Sequence, residues 1–344
     1  MANIIKLVEP FIPEVNLDDI YQSKFLTNNG TFLKRLESVL SDIFTCQNLF
    51  TTNSGTSALF TVLKNAIPKN SKVVTSPYTF PATYNAIIEA GHQILYTEWD
   101  EWGMMSLSSL QNILREYENI GAILIPNLNA NTVDIDRLHE LLKIYPSTKL
   151  IFDNAQAFST KYKEKYLWEY ADYSCYSLHS TKIVNSIEGG FVISKQHNEL
   201  FEQMKSYRNF GFNEKHGNFN NRGLNFKLSE IHALWGIKCL ENLSKIESNL
   251  LTLEKSYDNA LEEVYQRSNN VTNGLVNQYW IKTSSKRAES LINTYGTNMF
   301  RVIEEQLPKQ YRQKKYNKVF IRIPFGLHIT NESKQFLFSI LSHT

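Results

Sequence analysis

From about residue 50 the chain alternates short apolar runs with amphipathic stretches, and this rhythm limits the fold more than any other feature. Lys72–Thr75 (KVVT), Gln93–Tyr96, Ala122–Pro126 (AILIP) and Lys149–Asp153 (KLIFD) read as strands. Ala82–Glu89, Leu107–Tyr117 and Asp134–Tyr145, between them, carry helical patterns. Asp172–Leu178 and Gly190–Ser194 add two more strands. Strands joined through helices run parallel, and a parallel sheet needs both faces covered. The expected fold class is therefore α/β, a mostly parallel central sheet flanked by helices. Ligands of such sheets sit beyond the carboxyl ends of the strands. Ser76, Asp153 and Ser177 fall at or near those ends.

The pattern changes after Gly223. Leu228, Ile231, Leu234, Trp235 and Leu240 recur at helical spacing, which predicts one long amphipathic helix from about Ser229 to Leu251. Beyond it, helix signals mix with one clear strand, Val319–Ile323, as expected of a smaller C-terminal α+β domain. The expected division is a large domain over 1–245, N-terminal segment included, and a small one over 246–344. The basic stretch KQYRQKKYNK (Lys309–Lys318) reads as a solvated linker, with contact to a substrate diphosphate as its other reading.

Composition narrows the function classes. The chain has 344 residues, 42% hydrophobic and 20% charged, the profile of an ordinary globular protein with room for more than one domain. A net charge of +2 gives no reason to expect nucleic acid or a membrane surface as partner. Cys46, Cys175 and Cys239 are widely spaced without a CxxC pair, so neither a disulfide framework nor a metal site is expected. Glu9, Asp18 and Asp19 interrupt any leader-like pattern, and no apolar run has the length of a membrane span. The expectation is a cytoplasmic enzyme. A serine hydrolase lacks its GxSxG elbow here and a dinucleotide dehydrogenase its GxGxxG turn.

Three segments carry chemistry. Asn53–Leu59 (NSGTSAL) opens a helix, whose first N–H groups suit a phosphate; Gly55 would let the backbone come close and Thr56 would add a hydroxyl. The same residues also read as an ordinary Ser/Thr N-cap. Asp153, ending the strand of KLIFDNAQA, could keep a pyridine nitrogen protonated, or could merely cap a turn. Gln156 could hydrogen-bond the ring's hydroxyl or lie on the surface, and Phe80, in SPYTFPAT, could stack on the ring or belong to the core. Ser177 and Lys182 bracket the turn SLHSTK after a strand. A lysine in a dry pocket has a depressed pKa, forms Schiff bases and can move protons. Most lysines are surface residues; Glu188-Gly189-Gly190 nearby argues instead for a tight, shaped return into the next strand. His179 reads as a structural hydrogen-bonder. In this order the parts are those needed to hold pyridoxal phosphate (PLP).

Five segments together, NSGTSAL, SPYTFPATYNAIIEAG, FDNAQA, SLHSTK…EGG and YRNFGF…GLNFKLSEIHALWGIKCL, resemble successive signatures of the DegT/StrS family. The likeness runs from about Leu26 (LTNNG) to Leu243 and resumes at RIPFGLHIT. These are fold type I, PLP-dependent sugar-nucleotide aminotransferases. The resemblance implies Lys182 as the Schiff-base lysine, Asp153 as partner of the pyridinium nitrogen and Gln156 of the ring oxygen. It implies Phe80 stacked on the ring, and Gly55, Thr56 and Ser177 on the phosphate. Asn225, in GLNFK, would reach the phosphate from the partner subunit, which implies a homodimer with shared active sites.

The implied reaction is ping-pong amination of a nucleotide-linked 4-keto-6-deoxyhexose by L-glutamate, for a lipopolysaccharide O-antigen or related surface glycan. LTNNG, FGF and NFKLSE look most like the subgroup aminating C4 of dTDP-linked sugars, so dTDP-4-keto-6-deoxy-D-glucose is the expected substrate. Amination at C3, a UDP- or GDP-linked sugar, and a non-catalytic homologue that binds ligand to regulate are the alternatives. A sugar 3-dehydratase of the same fold carries histidine where Lys182 stands. Four features depart from the family pattern: Lys227 replaces an arginine, NLNAN (Asn127–Asn131) replaces a stretch with His and Gly, Asp153 lacks a second acid beside it, and the usual His-Tyr-Pro stretch of the sugar site is missing.

Overall fold

The computed structural model describes residues 5–219, 222–261, 267, 270–312 and 316–342. Its centre is a seven-stranded sheet. The strands are β1 (Leu49–Thr52), β2 (Lys72–Thr75), β3 (Gln93–Tyr96), β4 (Ile120–Pro126), β5 (Lys149–Asp153), β6 (Tyr173–Ser177) and β7 (Gly190–Ser194). Their order is β1-β7-β6-β5-β4-β2-β3. All pairings from β6 to β3 are parallel, and β7 alone runs against both its neighbours.

Burial explains the apolar runs. Side chains alternate across a sheet, so a strand covered on both faces feeds two cores. Val73, Ala122, Leu124 and Ile151 pack with Ala58, Val62, Ala86 and Phe201. Their chain neighbours Val74, Ile123, Ile125 and Phe152 pack on the opposite face with Leu110, Leu114, Ile135 and Leu138. The helices that supply these layers begin at side-chain caps. Ser54 accepts from the N–H of Ser57, Ser106 from Ser109, Asp134 from Arg137 and Asn198 from Phe201. Pro81 opens the helix after β2, where a missing N–H costs nothing. The strand β1 and the helix Thr31–Phe44, which buries Leu33, Leu36, Leu40 and Phe44, were not anticipated from the sequence.

The long helix expected over Ser229–Leu251 is two helices, Glu230–Glu241 and Leu243–Asp258. Asn242 separates them at φ −101°, ψ 4°, outside helical geometry. Its N–H bonds the Cys239 carbonyl and its side-chain amide the Lys238 carbonyl, satisfying the end of the first helix, while its own carbonyl accepts from Ile246 to start the second. Asparagine competes for backbone groups in this way, and apolar spacing alone does not register it.

The C-terminal part forms a second, antiparallel sheet where one strand was expected. Lys318–Ile323 lies between Tyr279–Ser284 and Arg301–Val302. One face sends Ile281, Ile321 and Ile323 into a core with Ala288, Leu291, Leu337 and Ile340. The other sends Trp280 and Phe320 against the helical layer of the large sheet. In the basic stretch, Lys309–Arg312 is a short helix with Lys309, Gln310 and Arg312 exposed, Tyr311 and Tyr316 lean on Trp99, and 313–315 lie outside the described residues. All three cysteines are buried and free. No helix among the described residues is long and apolar enough to cross a membrane.

Candidate active site

A cavity of about 440 Å³ opens beyond the carboxyl ends of β5 and β6. Seven of the eight residues singled out in the sequence line it: Gly55, Thr56, Phe80, Asp153, Gln156, Ser177 and Lys182. They come from four separate segments, brought together because parallel strands end side by side.

At one end the helix Gly55–Ala66 abuts the tip of β6. Ser54 caps it, so the N-cap reading of this segment is correct. The cap leaves the N–H groups of Gly55 and Thr56 without intrahelical partners at the cavity wall, where an anion is favoured. Close approach depends on two glycines. A Cβ on Gly55 would come 2.9 Å from the Cβ of Ser177. Gly190 lies in register between Thr52 and Ser177, and a Cβ there would come 2.6 Å from the backbone of Ser54 and Gly55.

At the other end Asp153 closes β5 and is buried. Its Oδ2 accepts from the Thr83 hydroxyl at 2.7 Å and its Oδ1 from the Ala155 N–H at 3.1 Å. Burial raises its pKa, against these two bonds and the charge of Lys182, which favour the anion. No cation among the described residues pairs with it within 4 Å. Gln156 turns its Oε1 to the Asn129 N–H at 3.2 Å. Phe80, at the N-cap of Pro81–Glu89, is 56% exposed although it lines the cavity. A core aromatic would be covered, so the core reading of Phe80 falls.

Lys182 follows a turn pinned at several points. The His179 N–H bonds Ser177 Oγ, His179 Nδ1 meets the Thr181 hydroxyl at 2.9 Å, and the Lys182 N–H bonds the His179 carbonyl. His179 therefore holds the turn, as expected. Burial lowers the Lys182 pKa to about 8; Asp153 opposes this and Arg322 adds to it. Its ammonium makes no ion pair within 4 Å among the described residues, so the amine is held ready rather than neutralised.

Asn225 is the one predicted residue outside the cavity. It is exposed, forms a lone bridge with Asn209, and its carbonyl lies 3.4 Å from the side-chain amide of Asn53. Lys227, two residues on, sits 4.5 Å over the ring of Phe210. Sequence reasoning missed Thr83, which fixes Asp153 from 70 residues away, and Gln278, Gln306, Arg301 and Arg322, which line the cavity from the C-terminal part. One signal for Arg322 was available: a lone charge inside the apolar strand VFIRI.

Sheet order, reversed strand and cavity place the molecule among the fold type I transferases. Its backbone superimposes on the crystal structure of AtS13 from Actinomadura melliaura with a TM-score of 0.88, at 20% identity, over 100% of this chain and 99% of that one. It also superimposes on the PLP form of the putative sugar aminotransferase Spr1654 from Streptococcus pneumoniae, with a TM-score of 0.85 at 17% identity over 97% of each chain. The chain belongs to the DegT/DnrJ/EryC1/StrS aminotransferase family, whose model matches residues 13–308. It is 27% identical over 259 residues to the dTDP-4-amino-4,6-dideoxy-D-glucose transaminase of Shigella dysenteriae, covering 75% of this chain and 68% of that protein. It is 30% identical over 245 residues to the UDP-4-amino-4,6-dideoxy-N-acetyl-beta-L-altrosamine transaminase of Campylobacter jejuni. That match covers 69% of this chain and 64% of the relative, less than two thirds of its length.

Proposed function

We propose that the chain is a PLP-dependent aminotransferase that converts dTDP-4-keto-6-deoxy-D-glucose to its 4-amino-4,6-dideoxy sugar, with L-glutamate as donor, for a surface glycan. The observation that carries this reading is one cavity holding a lysine with a pKa near 8 and a buried acid with no ion-pair partner among the described residues. The residues fit the cofactor. Gly55, Thr56 and Ser177 form an anion cradle at one end, Asp153 waits for a positive charge at the other, and Phe80 offers a bare ring between. When bound, PLP supplies an electron sink through which an amino group passes from donor to keto sugar.

The chain's own residues then divide the work. Asp153, fixed by Thr83 and Ala155, keeps the ring nitrogen protonated. Gln156 steadies the ring's oxygen. Lys182 would hold the cofactor at rest and, once freed, its amine would move a proton to or from the sugar's C4. Its pKa near 8 lets the amine both accept and return that proton near neutrality. A UDP-linked sugar is the second reading, supported by the 30% identity to the Campylobacter jejuni enzyme. Purified protein with PLP and L-glutamate is to be assayed on dTDP-, UDP- and GDP-linked 4-keto-6-deoxy and 3-keto sugars, with products read by mass spectrometry and NMR. A 4-amino dTDP sugar is expected. Amination at C3, or only of another nucleotide's sugar, overturns the substrate assignment, and no amino sugar from a PLP-loaded protein counts against catalysis.

The proposed architecture keeps a large and a small domain, with the expected 245/246 boundary falling inside the helix Leu243–Asp258, and pairs two chains. Phe210, Phe219 and Leu224 leave large apolar side chains exposed around Asn225, as a dimer surface would. Asn225 then completes the partner's phosphate cradle. Mixing Lys182→Ala and Asn225→Ala chains tests this. Random pairing should restore about a quarter of the wild-type rate, since half the dimers carry one intact site of two. Mixed dimers without recovery would remove Asn225 from the shared site.

A further inference from the structure

The C-terminal sheet brings two arginines to the same cavity, and among the described residues neither has an ion-pair partner there. Arg301 and Arg322 stand opposite each other across their strands, and Trp280 stands opposite Arg322 on its other side. Side chains paired this way leave the same face of a sheet. The neighbours Ile321 and Ile323 occupy the other face and its core, so the packing that buries them turns Arg322 toward the large sheet.

The electrostatics of this arrangement are unfavourable for an empty fold. Like charges directly opposite in a sheet repel. Burial, with Arg301 adding, lowers the Arg322 pKa to about 10. The Nε of Arg322 is buried with no hydrogen-bond acceptor, and neither arginine has a carboxylate within 4 Å among the described residues. The two acids that line the cavity are engaged elsewhere. Asp153 is bonded by Thr83 and Ala155, and Glu188 lies 3.5 Å from His179. A buried Nε without an acceptor costs free energy, and an anion bound at the cavity offsets that through paired N–H···O bonds.

Position selects the anion. Arg322 is close enough to Lys182 for its charge to help depress the lysine's pKa. In an amino acid the carboxylate is one carbon from the reacting amine. In a sugar nucleotide the diphosphate sits on C1, across the ring from C4. An anion site beside the reacting lysine therefore matches the amino acid. The geometry points to Arg322, backed by Arg301, as a carboxylate subsite that seats a dicarboxylic amino donor next to Lys182. This rests on the aminotransferase reading above and adds to it the residues that recognise the donor.

Two unreactive probes separate the sources of negative charge: glutarate for the donor and dTDP for the sugar nucleotide. Each is titrated calorimetrically into PLP-loaded wild-type, Arg322→Gln, Arg322→Lys and Arg301→Gln proteins. Arg322→Gln is expected to weaken glutarate by about thirty-fold or more, the loss typical when one partner of a desolvated charge pair is removed. Its dTDP affinity should stay within about two-fold, as expected of a group that does not touch the diphosphate. Arg322→Lys keeps the charge without the planar fork and should fall between. Removing this charge should also raise the pH midpoint for labelling of the Lys182 amine in the cofactor-free variant, which a purely structural arginine distant from the site would not do. Loss of dTDP with glutarate unchanged assigns the pair to the sugar nucleotide and overturns the proposal, as does no change in either probe. If Arg322→Gln does not fold, Arg322→Lys and Arg301→Gln decide. Glutarate binding by wild-type protein that aminates no sugar would defeat the proposed function alone; sugar amination without glutarate binding would defeat this subsite alone.

Discussion

Alanine at position 182 is expected to lower turnover by about ten-thousand-fold or more, because in the proposed reaction one amine serves both as the cofactor's anchor and as the proton carrier. Wild-type protein treated with borohydride should carry PLP fixed on the Lys182 peptide, and the variant should carry none there. The same amine makes a pH prediction. Burial lowers its pKa to about 8, so the free base grows as pH rises through 8 and is suppressed below it. Labelling of Lys182 in cofactor-free protein by an amine-selective reagent should therefore have its midpoint near pH 8. A midpoint in the ordinary lysine range would mean that the pocket is wetter than its geometry implies. An adduct at the same peptide in the alanine variant would refute the anchor role.

Asparagine at position 153 is expected to lower turnover on the order of a thousand-fold, the scale seen when one preorganised electrostatic group is removed. The substitution keeps the shape of the carboxylate and an oxygen for Thr83, and removes the charge together with the acceptor of the Ala155 N–H. PLP should still bind, held at its phosphate end by Gly55, Thr56 and Ser177. Cofactor retention with lost turnover is the signature of an electron-sink acid. Undiminished turnover would reduce Asp153 to a turn residue, a reading its segment also allows.

The sheet was legible because a strand covered on both faces must be apolar through its middle, as KVVT, AILIP and KLIFD are. Residues at the ends of those strands inherit their place from the sheet, so the strand pattern alone sets Asp153 and Ser177 at the site. Thr83 escapes that logic, since its bond to Asp153 joins the first turn of the helix Pro81–Glu89 to a strand tip, which no local pattern encodes. Asn242 interrupts a helix through side-chain chemistry hidden from apolar spacing. Arg322 was concealed differently: its strand was read correctly, but the second sheet around it was not, and only that sheet gives its side chain a direction. Asn225 came from family likeness alone, and within one chain it stands apart from the cavity.

Gly190 has a consequence for the lifetime of the protein. It holds β7 between β1 and β6, so the cradle at Gly55 and Ser177 exists only once the reversed strand has been inserted between segments far apart in the chain. Such a cradle has no counterpart in the unfolded state. A phosphate-bearing ligand that fills it binds the folded chain alone and stabilises it by mass action, about 2.7 kcal/mol when present at a hundred times its dissociation constant. On the proposed function, supply of that ligand would govern persistence as well as activity: chains made when it is scarce would unfold more often and be exposed to proteases for longer.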